Sequence, residues 1–124
     1  MTRLEGTQMA NFTPLKKVET LEILDIRQGN GETVTPGATI TAHYTGALCK
    51  TGEIFQSSHD FGEAITFPLD QVIEGWTKGV PGMHVGGVRR LIIPSAMAYG
   101  SVRAASNIPP NSDLVFDIEL VAIK

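Results

Sequence analysis

The sequence predicts an α+β protein in which several short antiparallel strands form a curved sheet over one short helix. Three observations predict it. Residues 39–48 and 114–120 alternate apolar and polar side chains with the period of two that a half-buried strand requires. Only one stretch, Val72, Trp76 and Val80 with Ile73 beside them, repeats at helical spacing. Thirteen glycines and seven prolines in 124 residues punctuate the chain often enough to keep every element short.

Taken in order, residues 1–17 show neither period and are read as an N-terminal extension, expected to be flexible in part, ahead of a single domain over residues 18–124. A first strand is expected within Val18–Gln28, closed by the turn signal Gly29-Asn30-Gly31; Pro36-Gly37 marks a second turn. In the strand Thr39–Leu48, Ile40, Ala42, Tyr44 and Gly46 face inward, so the Tyr44 hydroxyl needs a partner or a ligand. Ile54-Phe55 opens another short strand, and Gln56 to Asp60 leaves it as a polar loop. Ala64–Leu69 gives a further strand with Ile65 and Phe67 on one face and Pro68 marking an edge or end. The helix follows, with Asp70 as candidate cap and Pro81-Gly82 as its stop. Gly75 and Gly79 make it poor by propensity, so it must persist by packing. Val88–Ile93 is apolar apart from Arg89 and Arg90, which point to opposite faces, and Pro94 ends it. The small-residue loop Ser101–Asn107 runs into the stiff Ile108-Pro109-Pro110, like a movable flap on a fixed hinge. In the last strand Leu114, Phe116, Ile118 and Leu120 share one face, opposite Asp117 and Glu119.

Composition narrows the function classes. A net charge of −3 argues against a nucleic-acid surface. The single cysteine, Cys49, excludes an internal disulfide. No apolar run has the length of a signal peptide or a membrane span, so a soluble cytoplasmic monomer is expected. His43, His59 and His84 lie in separate segments without ligand spacing, and no metal or cofactor is expected. Ser57-Ser58-His59-Asp60 holds the residue types of a catalytic triad. A triad is a tertiary arrangement, however, so these neighbours are read as a turn held by side-chain hydrogen bonds. What remains is a set of aromatics from different segments, Tyr44, Phe55, Phe67, Trp76, Tyr99 and Phe116. Such a set lines either a core or an apolar cleft, and the two tyrosine hydroxyls favour the cleft.

The motifs His43-Tyr44-Thr45-Gly46, Phe55 with Ser57-Ser58, Val72-Ile73-Glu74-Gly75-Trp76, Ala98-Tyr99-Gly100, Ile108-Pro109-Pro110 and Leu114 to Leu120 occur in one order from about Val18 to the C-terminus. In these the chain resembles the FKBP immunophilins, peptidyl-prolyl cis-trans isomerases that bind tacrolimus and rapamycin. The resemblance implies a five- or six-stranded antiparallel sheet around the helix. It also implies rotation of X–Pro bonds in protein substrates, assisting protein folding, by non-covalent stabilisation of the twisted amide. Tyr44, Phe55, Trp76, Tyr99 and Phe116 would be catalytic. Gln56, Ile65, Val72, Ile73 and Ile108 would bind substrate. Trp76 would lie under the proline ring, while the Ile73 N–H and the Tyr99 hydroxyl would hold carbonyls. Proline-containing peptides and unfolded proteins are the implied partners, with tacrolimus or rapamycin as candidate ligands. Three positions depart from the family pattern. Gln56 stands in place of an aspartate, Ile65 in place of an aromatic, and Asp70 where glycine is frequent. The first motivates an alternative, a proline-peptide or macrolide-binding module with weak turnover.

Overall fold

A computed structural model describes residues 3–102 and 104–124. Met1 and Thr2 of the N-terminal extension and Arg103 of the small-residue loop lie outside the described residues. Six strands, β1 (Glu22–Arg27), β2 (Thr39–Leu48), β3 (Ile54–Ser57), β4 (Ile65–Pro68), β5 (Val88–Ile93) and β6 (Leu114–Ile123), surround one helix, α1 (Glu74–Gly79). All pairings are antiparallel, in the order β1-β5-β6-β2-β3, with β4 also on β2. The expected α+β architecture is therefore the observed one.

One edge of β2 pairs with β6 and the other is shared by two strands. Thr39–Ala42 pair with β4 and Thr45–Ala47 with β3. Register shifts fall at Thr41/Ala42 and Gly46/Ala47, and such irregularities sharpen local twist. The concave side this creates receives α1. There Ile40, Ala42, Tyr44, Leu91, Ile93, Leu114, Phe116, Ile118 and Leu120 meet Trp76 and Val80 in one core. The alternation expected for β2 and β6 is thus realised.

The helix starts differently from expectation. Its N-cap is Ile73, in extended backbone and without a side-chain cap. Asp70 lies four positions before the first helical residue, in the preceding turn, too early to reach the N–H groups of the first turn. The entry is fixed instead by Thr77, whose hydroxyl donates to the Leu69 carbonyl at 2.7 Å.

Residues 4–15 lie on the convex side. The Met9 side chain is buried, and with Leu4, Phe12 and Leu15 it covers Ala47, Cys49, Ile54, Ile92 and Val115. Gly6 N–H donates to Ile54 O, Ile54 N–H to Thr7 O and Met9 N–H to Gly52 O, so the segment pairs beside β3. Arg90 holds its middle, donating to the Asn11 and Ala10 carbonyls at 2.7 and 3.1 Å while gripping Asp117 through two hydrogen bonds. The Asp60 carboxylate holds its start through the Leu4 and Glu5 N–H groups. Residues 4–15 of the N-terminal extension thus form a strap docked on the sheet. Its apolar residues carry no strand or helix period because they approach the sheet from an irregular path.

Candidate functional site

An open cleft of about 450 Å³ lies at the end of the concave face. Each wall has a local cause. Trp76 is 4% exposed and projects from α1 to form the floor. Gly75 and Gly79 let the helix sit directly on β5; a Cβ on either would come within 2.6–2.7 Å of Ile93 or Leu91. Gly46 does the same for the side wall. A Cβ there would stand 2.6 Å from ring atoms of both Phe55 and Phe116, so the missing side chain is the space those rings occupy.

The rings meet edge to face. Trp76 lies 5.4 Å from Phe116, 5.1 Å from Phe67 and 5.7 Å from Tyr44 between centroids, and Phe55 lies 5.7 Å from Phe116. This is the arrangement aromatic quadrupoles favour, worth about 0.5–1.5 kcal/mol per pair beyond burial. It fixes a rigid apolar surface. Burial pushes the Tyr44 hydroxyl above its usual range, with the neighbouring Tyr99 adding to the shift, so Tyr44 stays protonated and available as a donor. Among the described residues no protein acceptor meets the Ile73 N–H, which lies in the extended residue at the cleft edge before α1.

Eight of the ten expected site residues line the cleft: Tyr44, Phe55, Gln56, Val72, Ile73, Trp76, Tyr99 and Phe116. Tyr99 is 42% exposed, which makes it a rim residue, and Gln56 is exposed on β3. Ile65 and Ile108 do not line it; Ile108 is buried in the core and Ile65 packs, half-buried, against it. Phe67 and Gln71 line it instead. Phe67 was legible as an aromatic on the same strand face as Ile65, two residues nearer the helix, whereas no sequence signal marked Gln71. The polar lining residues are two glutamines and two tyrosines, and no charged side chain is among the ten.

The Ser57–Asp60 stretch serves the wall, as its turn reading expected. Ser58 Oγ accepts the Tyr44 N–H at 2.8 Å and contacts His43 Nδ1 at 2.9 Å. Ser57 Oγ contacts Thr45 Oγ1 and receives the His59 N–H. Asn107 Nδ2 donates to the Phe55 carbonyl at 2.9 Å, tying the base of the small-residue loop to β3.

A six-stranded sheet packed on one short helix carries an aromatic cleft with no charged side chain among its lining residues. The comparisons with known proteins give the particular family. A family model described as FKBP-type peptidyl-prolyl cis-trans isomerase matches residues 30–121. The chain is 50% identical over 91 residues to the peptidyl-prolyl cis-trans isomerase FPR2 of Saccharomyces cerevisiae, covering 72% of this chain and 67% of that protein. It is 44% identical over 105 residues to an FK506-binding protein of Neisseria meningitidis, covering 83% and 95%. FkpA from Escherichia coli superposes with a TM-score of 0.76 at 39% identity, over 89% of this chain and 53% of that one. A peptidyl-prolyl cis-trans isomerase from Pseudomonas syringae also superposes at 0.76, with 36% identity over 84% and 75%. The chain belongs to the FKBP-type peptidyl-prolyl cis-trans isomerases.

Proposed function

We propose that the Trp76 cleft is the isomerase site, and that it turns X–Pro bonds of protein substrates by holding the twisted amide. The observation that carries this reading is the lining itself: six aromatic side chains, two aliphatic ones, two glutamines and no charge. Rotation about a peptide bond meets a barrier of about 18–20 kcal/mol because it breaks amide resonance. The cis and trans forms at proline differ by only ~0.5–1 kcal/mol, so a catalyst has only to lower the barrier. It needs no acid, base or nucleophile for this, only surfaces that fit the twisted amide better than the planar one. Trp76 supplies the platform for the proline ring, and Phe55 and Phe116 supply the side wall. The Ile73 N–H and Tyr99 hydroxyl hold substrate carbonyls on either side. Each ~1.4 kcal/mol of such preference is a factor of ten in rate.

The same reading takes proline-containing peptides and unfolded proteins as partners, tacrolimus or rapamycin as competing ligands, and the chain as a cytoplasmic monomer. The lone thiol Cys49, free and buried, suits a reducing compartment. Gln56 favours a second reading, a proline-binding module with weak turnover, because an uncharged amide replaces a carboxylate at the rim. A protease-coupled proline-peptide assay on the wild type and Gln56→Asp, with peptide binding measured alongside, separates them. Turnover by the wild type supports the enzyme. An inert wild type that binds peptide and gains turnover as Gln56→Asp establishes the module.

A further inference from the structure

Arg89 is 8% exposed and lies on the helix-facing side of β5 in one row with Leu91 and Ile93. Moving along β5, Ile93 sits under Gly75 and Leu91 under Gly79. Arg89 comes next, where the helix ends. Its Nη1 donates to the Gly79 carbonyl at 2.8 Å and to the Pro81 carbonyl at 3.2 Å. Its Nε and Nη2 reach Asp25 on β1 at 2.7 and 3.4 Å, and Asp25 is its direct partner in the β1–β5 register.

A six-residue helix with two glycines has little hold on its own shape. Its last carbonyls lack partners within the helix, and a buried guanidinium both satisfies them and complements the helix dipole. We infer that Arg89, clamped by Asp25, is the positioning residue for Trp76: it pins the end of α1 against the sheet and so sets the height of the cleft floor. The bearing on turnover rests on the proposed isomerase reading; the bearing on Trp76 does not.

Trp76 is the only tryptophan, so its emission reports the floor directly. In Arg89→Met the Trp76 emission should be red-shifted and more readily quenched, and kcat/KM should be lower by about tenfold, mainly through kcat. Arg89→Lys, which can meet one carbonyl but cannot fork to Asp25, recovers part of both. Asp25→Asn, on the half-exposed side of the clamp, loses about threefold. Arg90→Met, on the opposite face of β5, loses stability with neither change. If Arg89→Met does not fold, Arg89→Lys and Asp25→Asn decide. Folded clamp variants with wild-type emission and wild-type kcat/KM overturn the inference. A wild type without turnover ends the isomerase reading alone, and the emission shift still decides whether Arg89 seats the helix.

Discussion

Replacing Gly46 with alanine adds one methyl group at the point where two cleft walls meet. Gly46 lies in β2 at ordinary negative φ, so alanine is compatible with the backbone and restricts the unfolded chain, a gain of about 0.4–1 kcal/mol. Against this, the new Cβ stands 2.6 Å from Phe55 and from Phe116. Comfortable carbon–carbon contact is about 3.5–4.0 Å, so each ring must retreat by roughly 1 Å. Gly46 is buried and both rings pack edge to face, so the retreat is an overpacking of about 1–3 kcal/mol. The net effect is a loss of about 1–2 kcal/mol, or ~4–8 °C in Tm for a domain of this size. The kinetic loss is larger, because displacing positioning groups by about 1 Å can cost ~100-fold. Thermal melts and a protease-coupled proline-peptide assay on folded Gly46→Ala should show both. Wild-type Tm with wild-type kcat/KM would refute the claim that the Phe55–Phe116 wall is built on this glycine.

Three further outcomes follow from the strap and its surroundings. Backbone N–H groups of Leu4, then Glu5, hold the Asp60 carboxyl below its usual range. A depressed folded value stabilises above the ordinary carboxylate pKa of about 3.9 and is lost as pH falls through and below it. Limited proteolysis of residues 4–15 should therefore accelerate below about pH 4, and Asp60→Asn should remove that step. Burial, then Asp113 and Glu22, pushes the Cys49 thiol up to about 12, so native protein at pH 8 should resist iodoacetamide until it unfolds. Deleting residues 1–17 removes the cover from Cys49, Ile92 and Val115; the shortened chain should melt several degrees lower and label at Cys49, as mass spectrometry would record.

Much of this molecule was legible because its sheet obeys period two. The inward row of β2 and the face shared by Leu114, Phe116, Ile118 and Leu120 are both where alternation put them. The helix was found from Val72, Trp76 and Val80, although its cap was not, because Ile73 caps by backbone conformation alone and leaves no side-chain signature. The docking of the strap left no periodic signal for a related reason: Leu4, Met9, Phe12 and Leu15 pack on the sheet from a segment without regular structure. In the site, strand periodicity placed Tyr44 and Phe116 but could not say how deep a wall runs. Ile65 and Ile108 entered the expected site through the family resemblance alone; neither lines the cleft, whereas Phe67 does. Arg89 and Arg90 were assigned to opposite faces from sequence. Only the fold shows that one grips the helix and the other the strap.

Isomerisation by the uncharged aromatic cleft over Trp76 is the activity proposed for this protein. It is tested most directly by proline-peptide turnover in the wild type and in Trp76→Leu, with the fold of each verified by circular dichroism. The wild type should turn over, and kcat/KM should fall by about tenfold or more in the variant. A folded Trp76→Leu protein that isomerises X–Pro bonds at the wild-type rate would contradict it.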